Sequence, residues 1–549
     1  RIHVIEKALS QEGVSRVAEV DLPADAQVLS LRTLKKDGRV LEPEEIQNKD
    51  TISMPGVEQG DYVEYEYLLA HAPRGPAQPG FASPPFYFRL AGIPNAWSTY
   101  VVVAPKGAGL AVDAHNVKTR PPAIQGDRQV FKHEETHVPP LIPEPNAPPS
   151  SSEYLPWVQV GAGARGNDGL VAVYADAYLP GGRITHEVEA FARSAVGEAR
   201  DEAAIRALHA AVMKKMQGRD AGLQHSASLS LAQDRGSRLW ALKASLESVG
   251  LPTRIAAVRT ADVDPSTYLF PNESLLPYLA LRTTLPGGRH IWLDTSVRFS
   301  PFGELPESAV GRPAWLLPEP GRALEATTTP PSPPPGGKLI ALELELSAAG
   351  DLTGSASERY VGFEAASLAE GFEQLPPDQR NQALQGALAR YFGGAEMERV
   401  ELALPNEPGA ELVLRYHFRV PRFARAEGQR LVLGAITYPA QLGRRFLQLG
   451  RRTTPLFIDQ TDRTEAHVTL QLPARFTLNG PVAEAKLTSD YGSYVRRERQ
   501  EANVVKIDEH YELRMGRIPP ARYEDFAHFA GQVDLVQTRD LVLERRPGA

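Results

Sequence analysis

The first pattern in the chain that could do chemistry is a histidine pair with zinc-ligand spacing. The five residues from His133 to His137 spell H-E-x-x-H, which on a helix places two zinc ligands on one face beside a glutamate base. The flanking residues favour a strand, because Val130 and Phe131 precede the pattern and prolines follow it. The histidines of a strand lie well apart along one face. We therefore predict a solvated strand and no metal.

The 549 residues contain no cysteine, so a thiolate nucleophile is excluded and another nucleophile would have to take its place. Ser237 stands near the start of a predicted helix, and His290 and Asp294 stand on one predicted strand. A serine–histidine pair is therefore conceivable. Its geometry is unfavourable, because the base should come from the strand next to the aspartate's own.

Cofactors and nucleic acid are not indicated by the rest of the sequence. Asp262 and Asp264 lack the later acidic and glycine positions of a calcium loop, and no glycine-rich phosphate motif opens a helix. The formal net charge of −7 gives no field suited to a phosphate backbone. The basic pairs at Arg444, Arg451 and Arg496 are interpreted as solvated strand edges, with a docking surface for an acidic partner as the alternative.

The chain is too long for one hydrophobic core, and its apolar spacing predicts three modules. Period-two alternation over residues 1–182 predicts an N-terminal β-sandwich. Helices followed by strands over 183–318 predict an α+β module. A proline-rich linker is predicted at 319–337 and a second β-rich module at 338–549. The fold class is thus multidomain α+β, and proteolysis in the linker should release a C-terminal module beginning near Lys338.

Individual elements follow from turn and cap signals. Val28 to Leu34 reads as a strand, and Asp37-Gly38 after it indicates a hairpin with a two-residue type I′ turn. Apolar residues from Ile205 to Met216 predict a helix capped by Asp201. A third helix carries Leu239 to Val249 and ends at Gly250.

No window has the ~20 apolar residues of a membrane helix. The chain begins at Arg1 within strand-like sequence. We expect the natural N-terminus, with any signal peptide or lipid anchor, to lie outside it.

Three strings carry a resemblance to a known family. They are LSLRTLKKDGRVLEPE and VEQGDYVEYEY near the N-terminus, and SLAQDRGSRLWALKASLESVGLPTR followed later by IWLD. Together they resemble bacterial proteins that pair an N-terminal domain of unknown function with a transglutaminase-like domain. The resemblance implies a papain-like α+β fold for residues 183–318. It also implies a catalytic cysteine at a helix start, a histidine on one strand and an aspartate on the next.

The family's catalytic positions are degenerate in this sequence. Counting back along the helix from Gly250 puts Arg235 at the cysteine position, whereas alignment of Gly236 with the family's glycine puts Arg238 there. Tyr278 falls at the histidine position and cannot serve as a base near neutral pH. Asp294 alone matches.

The resemblance therefore implies a pseudoenzyme without cofactor or metal. It would bind or scaffold a protein or peptide partner in the periplasm or elsewhere at the bacterial cell envelope. The alternative is an active hydrolase or acyltransferase with a displaced serine nucleophile.

The lost cysteine also makes an electrostatic prediction. A buried Asp294 without its histidine needs a partner, and an arginine can supply a bidentate contact. We expect Arg235, or Arg238 in the other register, to approach Asp294 with Tyr278 nearby. The alternative is that the arginine faces solvent while backbone amides bind Asp294.

Overall fold

The computed structural model describes residues 1–43, 51–70, 80–163, 166, 171, 179–218, 220–270, 273–331, 336–480 and 484–546. Contacts divide the chain into two compact units, Arg1–Pro79 and Gly80–Ala549. No helix in these ranges is long and apolar enough to cross a membrane.

The N-terminal unit is a small antiparallel sheet with one helix. Its elements are β1 (Ile2–Lys7), α1 (Gln11–Val17), β2 (Glu19–Asp21), β3 (Gln27–Leu34), β4 (Val40–Leu41), β5 (Thr51–Ser53) and β6 (Tyr62–Leu68). The main sheet has the order β1-β6-β3-β4, and β2 pairs with β5. The core comprises Ala8, Val17, Val20, Met54 and Val63.

The predicted hairpin is present, but its turn is of another kind. The amide of Lys35 donates to the carbonyl of Arg39, and the amide of Gly38 donates to the carbonyl of Lys35. Gly38 has a φ of 89°, whereas Asp37 is not left-handed. A type I′ turn needs positive φ at both central residues. The loop is therefore three residues long with glycine in the left-handed position.

The second unit begins with two further sheets. Their strands are β7 (Gly80–Ala82), β8 (Phe86–Tyr87), β9 (Asn95–Pro105), β10 (Ala111–His115), β11 (Ala123–Gln125), β12 (Arg128–Val138) and β13 (Trp157–Gly163). One sheet has the order β10-β13-β7, with β8 also pairing β13, and the other has the order β11-β12-β9. These strands pair among themselves, and their contacts place them with Gly80–Ala549. The strands predicted as one sandwich over 1–182 are thus divided between two units at Pro79.

A helical layer against an antiparallel sheet follows. The helices are α2 (His186–Val196), α3 (Asp201–Lys215), α4 (Ala227–Gln233) and α5 (Arg238–Ser248), and the strands are β14 (Thr253–Val258), β15 (Tyr278–Thr284), β16 (His290–Leu293), β17 (Pro313–Leu316) and β18 (Glu325–Thr328). The sheet order is β16-β15-β14-β17-β18. Every residue from Arg238 to Leu246 is buried, so α5 is the central helix of this layer. The N-cap of α3 is Arg200 and not Asp201, which is already its first residue.

The described part of residues 319–337 does not form the single exposed linker that the sequence predicted. Strand β18 pairs with β17 in register Ala314↔Thr327, and Thr329 is buried with its hydroxyl donating to the carbonyl of Ala309. The backbone of Glu325–Thr328 therefore forms its hydrogen bonds within the sheet. The prolines at 333–335 lie outside the described residues.

The C-terminal part is built on an eight-stranded sheet. Its helices are α6 (Gly362–Glu373), α7 (Pro377–Tyr391), α8 (Leu442–Phe446) and α9 (Tyr523–Gln537). Its strands are β19 (Gly337–Leu346), β20 (Leu352–Val361), β21 (Glu396–Ala403), β22 (Leu412–Val420), β23 (Arg425–Glu427), β24 (Arg430–Leu433), β25 (Leu456–Ile458), β26 (Asp462–Gln471), β27 (Phe476–Leu478), β28 (Glu484–Ser489), β29 (Gly492–Glu501), β30 (Val504–Leu513), β31 (Gly516–Ile518) and β32 (Leu541–Arg545).

The large sheet has the order β21-β22-β20-β19-β26-β30-β29-β28. Strands β19 and β26 run parallel, and the other neighbours in this sheet run antiparallel. A four-stranded sheet, β23-β24-β32-β27, and the pair β25-β31 complete the part. The β-rich character predicted here is confirmed, although α6 and α9 had no prediction.

Candidate functional site

The start of α5 decides which arginine occupies the site. Helix α4 ends at Asp234, which is left-handed with φ of 54°. Gly236 has φ of 119°, and a Cβ there would lie 2.7 Å from the hydroxyl of Ser230. Ser237 is the N-cap of α5, and its hydroxyl accepts from the amide of Trp240 at 3.0 Å. The helix therefore begins at Arg238, and Arg235 lies in the turn that separates the two helices.

Arg238 is buried in a cage of acceptors. Its side chain is 1% exposed, and Nε donates to the carbonyl of Thr295 at 2.9 Å. Nη1 donates to the carbonyl of Gly218 at 3.0 Å, and Nη2 donates to the carbonyl of Ser296 at 2.8 Å. Both Nη atoms also reach Oε1 of Glu370, at 3.2 and 3.1 Å. The planar guanidinium thus joins α5, the turn after Asp294, and α6.

Asp294 lies at the end of β16 and is fully buried. Its carboxylate accepts from the hydroxyl of Tyr278 at 2.6 Å and from the hydroxyl of Ser296 at 2.7 Å. The amide of Ser296 donates to it at 3.1 Å, and the hydroxyl of Ser300 also donates to it. Burial, the charge of Asp294 and their hydrogen bond raise the pKa of Tyr278 well above its usual value, so this phenol stays protonated.

The predicted ion pair between an arginine and Asp294 is therefore replaced by another arrangement. In the described residues, the ion pairs of Arg238 go to Glu370 at 3.1 Å and Asp220 at 3.9 Å. The guanidinium of Arg238 donates to the carbonyls of Thr295 and Ser296, the two residues after Asp294. Tyr278 contacts Asp294, as predicted. Arg235 is exposed.

Two titratable residues near Asp294 were missed. His209 of α3 is buried, and burial lowers its pKa to about 4, although the charge of Asp294 and a hydrogen bond to its backbone act the other way. Its ring meets Phe302 edge-on at 5.7 Å between centroids. Burial raises the pKa of Asp220 to about 6, against the opposing charge and amide of Arg238. His209 lies on the same buried face of α3 as Ile205, Leu208 and Val212. The apolar residues of this face indicated a core helix, so the histidine among them was not singled out.

Helix α6 closes the site from the C-terminal part of the chain. Besides Glu370, it carries Glu373, which forms an ion pair with Arg298 at 2.6 Å. Ala365, Ala366 and Ala369 of the same helix pack with Phe299. The helix is therefore held on the turn after Asp294 by apolar packing and by two ion pairs.

The serine alternative finds no base in the expected place. The hydroxyl of Ser237 donates to the carbonyl of Gly222 at 2.5 Å and caps α5. His290 stands on β16 with its Nδ1 3.1 Å from the hydroxyl of Thr284. The hydrogen bonds of Ser237 and His290 thus lead away from each other.

The H-E-x-x-H segment is a strand, as predicted. Residues His133 to His137 belong to β12, and Nε2 of His133 lies 2.8 Å from Oε1 of Glu135. The helical geometry of a zinc protease is absent from this segment. Asp264, one of the two aspartates considered for a calcium loop, accepts hydrogen bonds from the hydroxyls of Ser152 and Tyr268 at 2.9 and 2.6 Å. Within the described ranges, no group of three or more acidic, histidine or cysteine side chains could hold a metal ion.

Comparison with known proteins gives a family for one segment and a fold for the whole. Residues 435–543 match the family "Domain of Unknown Function with solved-structure structure (DUF3858)". No curated protein matches the chain. A solved structure from Parabacteroides distasonis, described as a "putative protease", superimposes with a TM-score of 0.59 and 12% identity, covering 99% of this chain and 91% of that chain. The chain shares that fold, a multidomain and mostly β architecture, and fold alone does not fix activity.

Proposed function

We propose that this protein is a catalytically inactive transglutaminase-like protein that binds or scaffolds a protein or peptide partner at the bacterial cell envelope. The observation that carries the proposal is Arg238. It stands at the start of α5, where the family's nucleophile belongs, and all its hydrogen bonds are internal. A guanidinium remains protonated in proteins and cannot act as a nucleophile.

The other two positions support the same conclusion. Asp294 keeps the family position but accepts hydrogen bonds from Tyr278 and Ser296 rather than from a histidine. Tyr278 has a raised pKa and so is unsuited to general-base catalysis near neutral pH. A binding role needs neither a nucleophile nor a base. The assignment to the periplasm rests on the family resemblance.

The rival function is hydrolysis or acyl transfer by a displaced serine. The name of the Parabacteroides neighbour favours peptides as its substrate class. Against the rival, the hydroxyl of Ser237 serves as a helix cap, and the buried His209 has a pKa of about 4.

The test is an activity assay with three readouts. The full chain is incubated with a glutamine peptide and a labelled amine, and separately with a peptide library and a fluorophosphonate serine probe. We expect neither amine incorporation, nor cleavage, nor labelling. Labelling that disappears in Ser237→Ala would establish the rival.

A restoration experiment examines the assignment of positions. Arg238→Cys alone should remain inactive, because Tyr278 provides no base. Arg238→Cys with Tyr278→His restores both residue types. Its cysteine should then react with iodoacetamide faster at neutral pH than the cysteine of the single variant. Equal rates in the two variants would contradict the transglutaminase-like assignment.

A further inference from the structure

A cavity of about 470 Å³ lies in the C-terminal part, away from the site at Arg238. It is open to solvent and is lined by the start of β19, the end of α7, the loop before α8 and α8 itself, the start of β26, the middle of β30 and the end of α9. Its lining includes Lys338, Arg390, Tyr391, Arg444, Asp462 and Tyr511. This volume is in the range of small-molecule sites. Most of the lining belongs to the segment that matches the DUF3858 family.

The charges of the lining are unbalanced. Four cations, Lys338, Arg390, Arg444 and Arg445, face two carboxylates, Asp462 and Glu509. Glu509 is already held by Arg496 at 2.5 Å and by the hydroxyl of Tyr494 at 3.0 Å. Asp462 is held by Arg445 at 3.0 Å.

Arg390 and Arg444 are therefore the two cations of this lining that have no carboxylate partner among the described residues. Across the described residues neither of them forms an ion pair, and both are exposed. Their positive charge at the cavity is therefore uncompensated.

The deeper wall has polar groups whose hydrogen-bonding capacity is unused. The ammonium of Lys338 lies 3.7 Å from Asp462, beyond hydrogen-bonding distance. Burial acts to lower the pKa of Lys338, but the charges of Asp462 and other neighbours prevail and raise it. The lysine thus remains cationic.

The Tyr511 hydroxyl is buried, and no described residue meets hydrogen-bond geometry with it. Burial and the charge of Asp462 raise its pKa, although the nearby Arg445 acts the other way. Unused buried donors of this kind are costly unless something binds them. The rings of Tyr391 and Tyr438 stack at 4.5 Å and form an aromatic wall beside them.

We propose that this cavity binds a small organic anion, whose carboxylate or phosphate group is held by Lys338, Arg390 and Arg444. Arginine forks match both kinds of group, and lysine adds a point charge. The body of the ligand would lie against Tyr391 and Tyr438. This function is independent of whether the site at Arg238 is catalytic.

The proposal is tested by isothermal titration of the full chain with four probes. Succinate, glycerol 3-phosphate and inorganic phosphate distinguish a carboxylate from a phosphate source, and glycerol is the uncharged control. We expect one anion to bind with one-to-one stoichiometry and glycerol not to bind. Arg390→Gln and Arg444→Gln should each weaken binding about 10-fold, because each removes a hydrogen-bond donor that carries a full positive charge.

The matched control is Arg415→Gln, an exposed arginine on β22 outside the cavity. It should leave the affinity within about twofold. All three variants replace exposed side chains, and thermal unfolding confirms that each is folded. If no anion binds at millimolar concentration, or if Arg415→Gln weakens binding as much as the cavity variants, the cavity is not an anion site.

Discussion

Replacing Arg238 by methionine should destabilise the protein far more than the same change at Arg235. The guanidinium of Arg238 makes five hydrogen bonds of 2.8 to 3.2 Å. Methionine would leave Glu370 and three carbonyls without their donor, and it would remove the positive charge beside Asp220, which keeps the backbone amide of residue 238 as a donor. Removal of one partner from a buried ion pair costs about 3–5 kcal/mol. The side chains of Asp220 and Glu370 are 13% and 15% exposed, so we expect the lower end of that range.

A loss of about 3 kcal/mol lowers the melting temperature by about 6–12 °C for a module of 150–250 residues. The assay is thermal unfolding followed by tryptophan fluorescence, because Trp240 is buried two residues along the same helix. The midpoint is the measured quantity, since unfolding of several modules need not be two-state. Arg235→Met, on an exposed residue, should change stability by no more than about 0.5 kcal/mol.

A double-mutant cycle isolates the contact with α6. Arg238→Met and Glu370→Gln should be non-additive by about 1–3 kcal/mol, because the two side chains touch. Equal melting temperatures for Arg238→Met and Arg235→Met would refute the reasoning, and additivity would show that Glu370 contributes nothing through Arg238.

Two further predictions concern pH and proteolysis. Because the pKa of Asp220 is raised from 3.8 to about 6 in the folded state, folding favours its protonated form, so stability falls as pH rises from about 4 to about 6. This loss of folding free energy between about pH 4 and about pH 6 amounts to up to about 3 kcal/mol, and Asp220→Asn should remove it in melting curves measured across this range. Parallel pH profiles for the unmodified protein and for Asp220→Asn would contradict the raised pKa of Asp220. If the chain is cut within residues 332–335, the two fragments should co-elute in gel filtration. The reason is that ion pairs such as Arg298–Glu373 and Arg517–Glu153 join the parts before and after the cut. Fragments that separate without denaturant would show that these contacts are too weak to hold the two parts together.

The sequence predicted those elements whose signals are local. Helix α5, the strand that holds Tyr278 and the strand that ends before Asp294 follow from apolar spacing and from Gly250, which is left-handed with φ of 81° directly after the C-cap Val249. The start of α5, and with it the placement of Arg235 and Arg238, depended on a short turn. Gly236 and the capping Ser237 were visible signals of it, and they favour Arg238.

The long-range partners were beyond sequence reasoning. Glu370 is 132 positions from Arg238, and nothing in the spacing of either residue joins them. Arg496 shows the same limit. It was interpreted as part of a solvated edge, yet it is buried on the core face of β29 between Glu498 and Glu509. Strand β28 covers that edge, so a charge pattern typical of exposure belongs to an internal ion-pair network.

The parallel contact between β19 and β26 has a consequence for the order of folding. It joins Lys338 to Thr464 and continues to Glu345 and Gln471, so more than a hundred residues must be synthesised before the two strands can meet. Strands β19 and β20 are consecutive and pair as a hairpin, and β26, β29 and β30 form a second local group. We expect these two halves to form first and to dock late and slowly along this seam, because contacts between distant segments slow folding. Until then each half exposes an unpaired strand edge, which makes the nascent chain prone to aggregation.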